Sequence, residues 1–307
     1  MDSLIKKVPL PMSGLMLALA ATGNLLSPYG AIYRYAFGIM AAILLVLLTA
    51  KAVFDPDSLA EGFGNPVVAS IMPTFSMGII LLSTYVKGYL PGAALGIWIT
   101  GFLLHIILMV LFTKKYIFNF NIKKVFPSYF IVYVGIVCGS ITAPAFGLAW
   151  VGRYIFWFGL AAYMLLLPVV FYRIIKVKEI PEPALPLTVI LTAPSSLCLA
   201  GYLNSFPEKN MIMVALLCFL SLFMLIFVIS WMPKLLKLRF YPSYSAFTFP
   251  FVITAIAMKG GNGYLVKGGF DTGYLGLLVS VLEIGSIAMV VYVLARYILF
   301  LSGNTQK

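Results

Sequence analysis

The chain has 307 residues, of which 62% are hydrophobic and only 10% are charged, and its mean hydropathy is +1.05. A water-soluble domain carries about 25% charged residues, so this composition excludes an ordinary soluble protein and predicts one that is integral to a membrane. The net charge of +12 comes from basic residues in the loops between apolar runs. In such loops, basic residues determine the orientation of the protein in the membrane and interact with anionic lipid headgroups. We therefore expect no nucleic acid as a partner.

Apolar runs of about 20 residues, the length that crosses a bilayer, predict ten transmembrane helices. These are 9–27, 31–52, 66–86, 92–113, 127–143, 148–172, 184–203, 211–233, 242–260 and 272–300. They pair into five helical hairpins, at about 9–52, 66–113, 127–172, 184–233 and 242–300. We expect residues 1–307 to form a single transmembrane channel domain of the all-α class.

The hairpins repeat along the chain in one orientation. The odd-numbered helices begin near Pro9, Pro66, Pro127, Ala184 and Pro242, at intervals of 57 to 61 residues. Repeats of the same orientation are related by an axis along the membrane normal. This predicts five parallel hairpin repeats, with the odd-numbered helices as an inner ring around a central pore and the even-numbered helices as an outer ring.

The two sets of helices differ in chemistry. The odd set carries nine prolines and nineteen Ser or Thr residues, and the even set carries two prolines and eight Ser or Thr residues. Polar side chains and irregular backbone at membrane depth belong in protein interior or along water, so the odd helices are predicted to lie inside. Pro73, Pro194 and Pro250 predict kinks in them. The alternative is that the prolines and hydroxyls only pack one helix against another.

Charged side chains are absent from the apolar stretches of the odd helices, apart from Lys259 at the outer end of the ninth. Ion-coupled carriers usually keep a charged or titratable residue on the substrate path, so a neutral lining favours a passive conduit. His105 stands alone in the fourth helix and is expected to make an interhelical hydrogen bond. Glu283 is expected to pair with Arg34 or Arg153 on other even helices.

The ninth helix has the composition of a pore wall. Phe247, Phe249 and Phe251 crowd Pro250, and a bulky ring at a kink in an uncharged helix predicts a plug in a pore. Hydrophobic constrictions of this kind gate by excluding water. The further residues expected to line the pore are Phe75, Phe130, Thr248 and Ser195.

Three short motifs carry a resemblance to a known family: 127–130 (Pro-Ser-Tyr-Phe), 193–203 (with Ala-Pro and Ala-Gly-Tyr-Leu) and 245–249 (Ser-Ala-Phe-Thr-Phe). With these motifs the chain resembles the tellurite-resistance/dicarboxylate transporter family, which includes bacterial TehA and the slow-type anion channels of plant guard cells. The resemblance implies ten helices, a homotrimer with one pore per subunit, and a phenylalanine that blocks the pore at the position of Phe249. Pro250, directly after it, departs from the family's pattern.

The function predicted is a gated anion channel that conducts small inorganic anions passively through a neutral pore occluded by Phe249. The alternative is a secondary transporter or exporter of organic dicarboxylates or tellurite-type oxyanions. The sequence contains no catalytic or metal-ligand set, so we expect no enzyme activity, cofactor or metal. The expected partners are small anions, the lipid bilayer and further copies of the chain in a homotrimer.

The distribution of basic residues predicts the orientation. Fifteen Lys and Arg residues lie on the side of the two termini and six on the other side. By the positive-inside rule, both termini are predicted to be cytoplasmic, in a multi-pass protein of the plasma membrane.

Overall fold

The computed structural model describes residues 2–303, which are helical throughout and contain no β-strand. The α-helices in this range are α1 Asp2–Lys7, α2 Met12–Leu26, α3 Ala31–Phe54, α4 Pro56–Gly64, α5 Pro66–Ile71, α6 Pro73–Val86, α7 Pro91–Phe112, α8 Tyr129–Tyr133, α9 Val137–Thr142, α10 Ala149–Tyr172, α11 Ala193–Ser205, α12 Met211–Leu235, α13 Phe249–Lys267 and α14 Gly273–Leu301. Shorter 3₁₀ segments include Ala143–Phe146, Glu182–Thr192 and Pro242–Phe247, and π turns extend α7 and α10 to Ile117 and Val177.

Seven helical segments of the described chain are long and apolar enough to cross a membrane. They are Ala31–Phe54, Pro66–Val86, Pro91–Ile117, Ala149–Val177, Glu182–Ser205, Met211–Leu235 and Gly273–Leu301. The other three expected spans are divided or displaced: 9–27 is helical only from Met12, 127–143 is split between α8 and α9, and 242–260 changes from 3₁₀ to α-helix at Phe249. In the first of these spans, Pro9 and Pro11 precede the start of α2, because proline lacks an N–H and clashes with the preceding turn in a helix interior. The break between α8 and α9 instead contains Gly135, a residue type that disfavours helix.

The ninth expected helix also ends later than the sequence predicts. The glycine-rich run Gly260–Gly263 predicts a flexible outer loop, but α13 continues through it to Lys267. Glycine costs about 1 kcal/mol in a helix, and packing against α14 offsets this cost.

Burial separates the helices into two groups. The apolar stretch of Glu182–Ser205 is 94% buried and that of Pro66–Val86 is 61% buried, whereas that of Met211–Leu235 is 33% buried. In α2, thirteen of fifteen residues are buried. The remaining long helices, α3, α7, α10 and α14, have only 22–28% of their apolar stretches buried. Such a surface is suited to lipid rather than to water.

The buried segments pack in a closed cycle. Helix α2 contacts α6, α6 contacts α9, α9 contacts α11, α11 contacts α13, and α13 returns to α2. Each exposed helix covers one junction of this cycle, as α3 does between α2 and α6 and α12 does between α11 and α13.

Hydroxyl groups join neighbouring segments of the cycle. Such pairs are Thr74 with Ser13 at 2.7 Å, Ser70 with Ser128 at 2.6 Å, and Ser196 with Thr254 at 3.0 Å. A buried hydroxyl needs a hydrogen-bond partner, and these side chains satisfy one another across helix boundaries. Many of the Ser and Thr residues of the odd helices therefore serve packing, as the alternative interpretation of their abundance holds.

Two helices at one end of the molecule, α1 and α4, are not among the predicted spans. Lys51, which is buried, reaches the backbone carbonyls of Ile5 and Lys6 and forms an ion pair with Asp55 at 3.0 Å. Asp55 also caps α4 by accepting from the backbone N–H of Ser58, and its other carboxylate oxygen accepts a hydrogen bond from the Ser58 hydroxyl at 2.7 Å. This hydrogen bond and the Lys51 ammonium hold the pKa of the Asp55 carboxyl below its usual range.

Candidate functional site

The five buried segments start at one end of the molecule, around a shared cavity. This proximal cavity has a volume of about 560 Å³, and its wall includes Pro9, Pro66, Phe126, Ala184 and Pro242. These positions are the five predicted helix starts or lie directly beside one. The segments therefore run side by side from this end, and the position of a residue along its segment gives its depth.

A central cavity lies deeper along the same segments. It is small, about 30 Å³, and every buried segment contributes to its wall. Its lining includes Gly14, Ile71, Phe130, Ile190 and Ala246, which lie three to six residues beyond the segment starts. The residues with polar side chains in this lining are Thr74 and Ser245, and none of its lining residues is ionisable.

A third, distal cavity of about 290 Å³ lies beyond the central one. Its wall includes Ala21, Leu81, Cys138 and Ile253, which follow the central lining residues along their segments. Phe249 lines both the central and the distal cavity. The ring, only 6% exposed, therefore stands at the boundary between the two.

Local backbone geometry fixes the position of this ring. Phe249 is the first residue of α13, and Thr248, the residue before it, has φ −110° and ψ −83°, outside helical values. Pro250 follows in the first helical turn, where its missing N–H leaves no hydrogen bond unmade. Pro73 and Pro194 occupy the same first-turn position in α6 and α11. The three prolines for which the sequence predicts kinks thus lie at the starts of α6, α11 and α13, where one helical segment ends and the next begins.

The expected lining residues do not all reach the cavities. Phe130 lines the central cavity, with its ring 5.8 Å from that of Tyr163. Phe75 instead lines a separate pocket between α3, α6 and α7. Thr248 turns its hydroxyl to the carbonyl of Ser245, at 2.6 Å.

Ser195 is buried outside the lining of the three cavities. Its hydroxyl and that of Tyr163 lack hydrogen-bond partners within the described residues. The lining residues that the sequence does not single out are small or flexible, such as Gly14, Met77 and Ala193. Small residues on proline-bearing helices are the one signal that could have indicated them.

Two ionisable residues of the long helices have clear partners. His105 lies between the hydroxyl of Ser76 at 2.9 Å and the carbonyl of Val132 at 3.1 Å, which confirms the predicted interhelical hydrogen bond. Glu283 pairs with neither of the arginines expected.

The partner of Glu283 is Lys259, at 2.6 Å, and the hydroxyl of Tyr29 donates to its other carboxylate oxygen at 2.6 Å. Arg34 lies elsewhere, donating to the carbonyl of Thr84 and stacking over the ring of Tyr85. The predicted pairing of Glu283 with Arg34 or Arg153 is therefore wrong. The cation that pairs with Glu283 is Lys259, which lies on the neighbouring helix α13.

The fold and these cavities define a multi-pass helical membrane protein with a chain of cavities enclosed by its buried segments. The family model SLAC1, described as a voltage-dependent anion channel, matches residues 7–298. The chain belongs to this family, which confirms the resemblance carried by its sequence motifs. Members of the family are channels or transporters rather than enzymes. No curated protein matches the chain.

Proposed function

We propose that the chain is a gated channel for small inorganic anions, closed by the ring of Phe249. The observation that carries the proposal is the position of this ring between the central and distal cavities. A phenyl ring across a narrow apolar passage removes both space and water, and passages of this kind gate by dewetting.

The charge of the central cavity supports a channel over a carrier. A site for a dicarboxylate needs cations or several helix ends that converge on its two carboxylates. The central cavity has no cation in its lining, and its volume of about 30 Å³ suits a few waters rather than an organic dianion. We therefore keep a dicarboxylate or oxyanion transporter as an outcome of the test and not as a second proposal.

We further propose that ten segments span the membrane as five parallel hairpins. The closed cycle of buried segments and the burial contrast between the two groups of helices support an inner ring and an outer ring. The excess of Lys and Arg near the proximal cavity supports cytoplasmic termini in the plasma membrane. Family membership supports a homotrimer, which chemical cross-linking in the membrane would test.

The decisive experiment measures anion flux through Phe249→Ala in proteoliposomes and in planar bilayers. The wild type should be nearly silent, and the variant should carry an anion-selective current at least about tenfold larger, the effect of lowering a barrier by about 1.4 kcal/mol. Phe247→Ala is the matched control, because it removes the same ring from a fully buried position outside the linings of the two cavities. The centre of the Phe247 ring lies 4.7 Å from that of Tyr244. This control should stay silent.

Two outcomes would contradict the proposal. A folded Phe249→Ala protein without current would show that the ring is not the plug. Flux that saturates and follows a coupled ion gradient would instead favour the transporter.

A further inference from the structure

The distal cavity contains the one side chain that carries a charge at neutral pH among the described residues that line the three cavities. This side chain is Lys259, near the middle of α13. Most of the surrounding wall is apolar, with Leu25, Leu81, Ile141 and Ile253 among its residues. A positive charge in such a wall attracts anions more strongly than it would in water, because the local dielectric constant is lower.

The hydrogen-bond donors of the cavity wall are few. The hydroxyls of Thr84 and Thr142 donate to carbonyls of their own segments, at 2.7 and 2.8 Å, so the single O–H of each is already used. Asn24 contributes a side-chain amide with two N–H donors, and Lys259 contributes an ammonium with three. These two side chains are therefore the candidates to hold an anion.

The ammonium of Lys259 is held in place from the side of α14. The Glu283 carboxylate accepts a hydrogen bond from the ammonium at 2.6 Å, and the ammonium nitrogen lies 4.5 Å from the centre of the Tyr29 ring. The second oxygen of Glu283 is occupied by the Tyr29 hydroxyl. One of the three ammonium N–H groups thus serves the carboxylate, and the lysine side chain keeps 32% of its surface exposed.

We propose that Lys259 and Asn24 form an anion-binding site in the distal cavity, and that Glu283 keeps this site weak. The apolar wall favours monovalent, weakly hydrated inorganic anions, because these lose the least hydration on entry. Conduction needs binding that is favourable enough for entry and weak enough for exit. A carboxylate beside the ammonium meets the second requirement, since it repels the bound anion. The role in conduction rests on the proposed function, whereas the binding does not.

The binding is measured on the full-length protein in detergent, as the shift in thermal unfolding when nitrate replaces gluconate at constant ionic strength. Nitrate should stabilise the wild type with a dissociation constant in the millimolar range or above, and Glu283→Gln should lower this constant at least about tenfold, because it removes a like charge from the site. The matched control is Lys267→Met, which removes an exposed lysine from the end of the same helix and should leave the nitrate response unchanged.

Lys259→Met alone leaves Glu283 without its cation and can misfold, so the double variant Lys259→Met/Glu283→Gln completes the set. It should lose the nitrate-dependent shift. If the double variant retains the response of the wild type, or Glu283→Gln binds nitrate no more tightly, the proposal is wrong.

Conduction provides a separate measurement. In the Phe249→Ala background, Glu283→Gln should lower the nitrate concentration for half-maximal conductance about tenfold, in line with the tighter binding. An unchanged half-maximal concentration would overturn the role of Glu283 in release. A silent Phe249→Ala protein would count against the proposed channel, and the binding result would still decide whether the anion site exists.

Discussion

The different surroundings of Phe247 and Phe249 predict different costs for removing each ring. Phe247 is fully buried and lines neither the central nor the distal cavity, whereas Phe249 lines both. In detergent the apolar tails are as favourable to a phenyl ring as the protein interior, so the transfer free energy largely cancels. The cost of truncation is then set by the packing that is lost.

The size of each cost follows from the space left behind. Phe247→Ala should open a cavity of about 100 Å³, which costs about 2 kcal/mol at about 24 cal/mol per Å³. Phe249→Ala opens space that merges with the existing cavities of about 30 and 290 Å³, so it should cost less than about 1 kcal/mol.

The assay is thermal unfolding of both variants and the wild type in one detergent at one scan rate, because such transitions are often irreversible. With about 2–4 °C lost per kcal/mol, Phe247→Ala should lower the midpoint by about 4–8 °C and Phe249→Ala by less than about 4 °C. Equal losses for the two variants would refute the reasoning, since Phe249 would then be an ordinary packing residue.

Two further predictions concern the packing of the outer helices. Gly159→Ala should lower the unfolding midpoint by an amount equivalent to about 1–3 kcal/mol, because its Cβ would lie 2.1 Å from the Val137 side chain. Gly96→Ala, with open space around its Cβ, should leave the midpoint unchanged or raise it by the equivalent of up to about 1 kcal/mol, and equal midpoints for the two variants would contradict this reasoning. His105→Leu should cost about 1–3 kcal/mol in the same assay, since it leaves the buried carbonyl of Val132 without its side-chain partner, and a neutral result would show that water or repacking satisfies this group.

The division into buried and exposed helices could be predicted from the sequence. The expected sixth helix has no Ser or Thr, and the segment that begins with α10 in this position has only 28% of its apolar stretch buried. The expected seventh helix is rich in prolines and hydroxyls, and Glu182–Ser205 is almost wholly buried. Composition carries this information because lipid cannot satisfy polar groups or broken backbone.

The direction in which each side chain points could not be predicted in the same way. Thr248, Phe75 and Ser195 are on the expected segments but do not reach the three cavities. A kink changes the rotation of a helix about its axis by an angle that the sequence does not give. A residue close to Pro73, Pro194 or Pro250 can therefore face a cavity or a neighbouring helix.

The partner of Glu283 was available in the sequence. Consecutive helices of a hairpin run antiparallel, so residues equally far from the connecting turn meet. Lys259 and Glu283 each lie twelve positions from Asp271, in the connection between α13 and α14. This symmetry favours Lys259 over Arg34 and Arg153, which lie on more distant hairpins.

The contact between α2 and α13 has a consequence for biosynthesis. These segments lie near opposite ends of the chain, yet each completes the cycle by packing on the other. While the ribosome is still making the first four hairpins, the cycle is open on one side of α2. The neighbour that closes this side, α13, begins more than 200 residues downstream. We expect the flank of α2 that later packs on α13 to need water or the insertion machinery as a temporary partner until α13 enters the membrane.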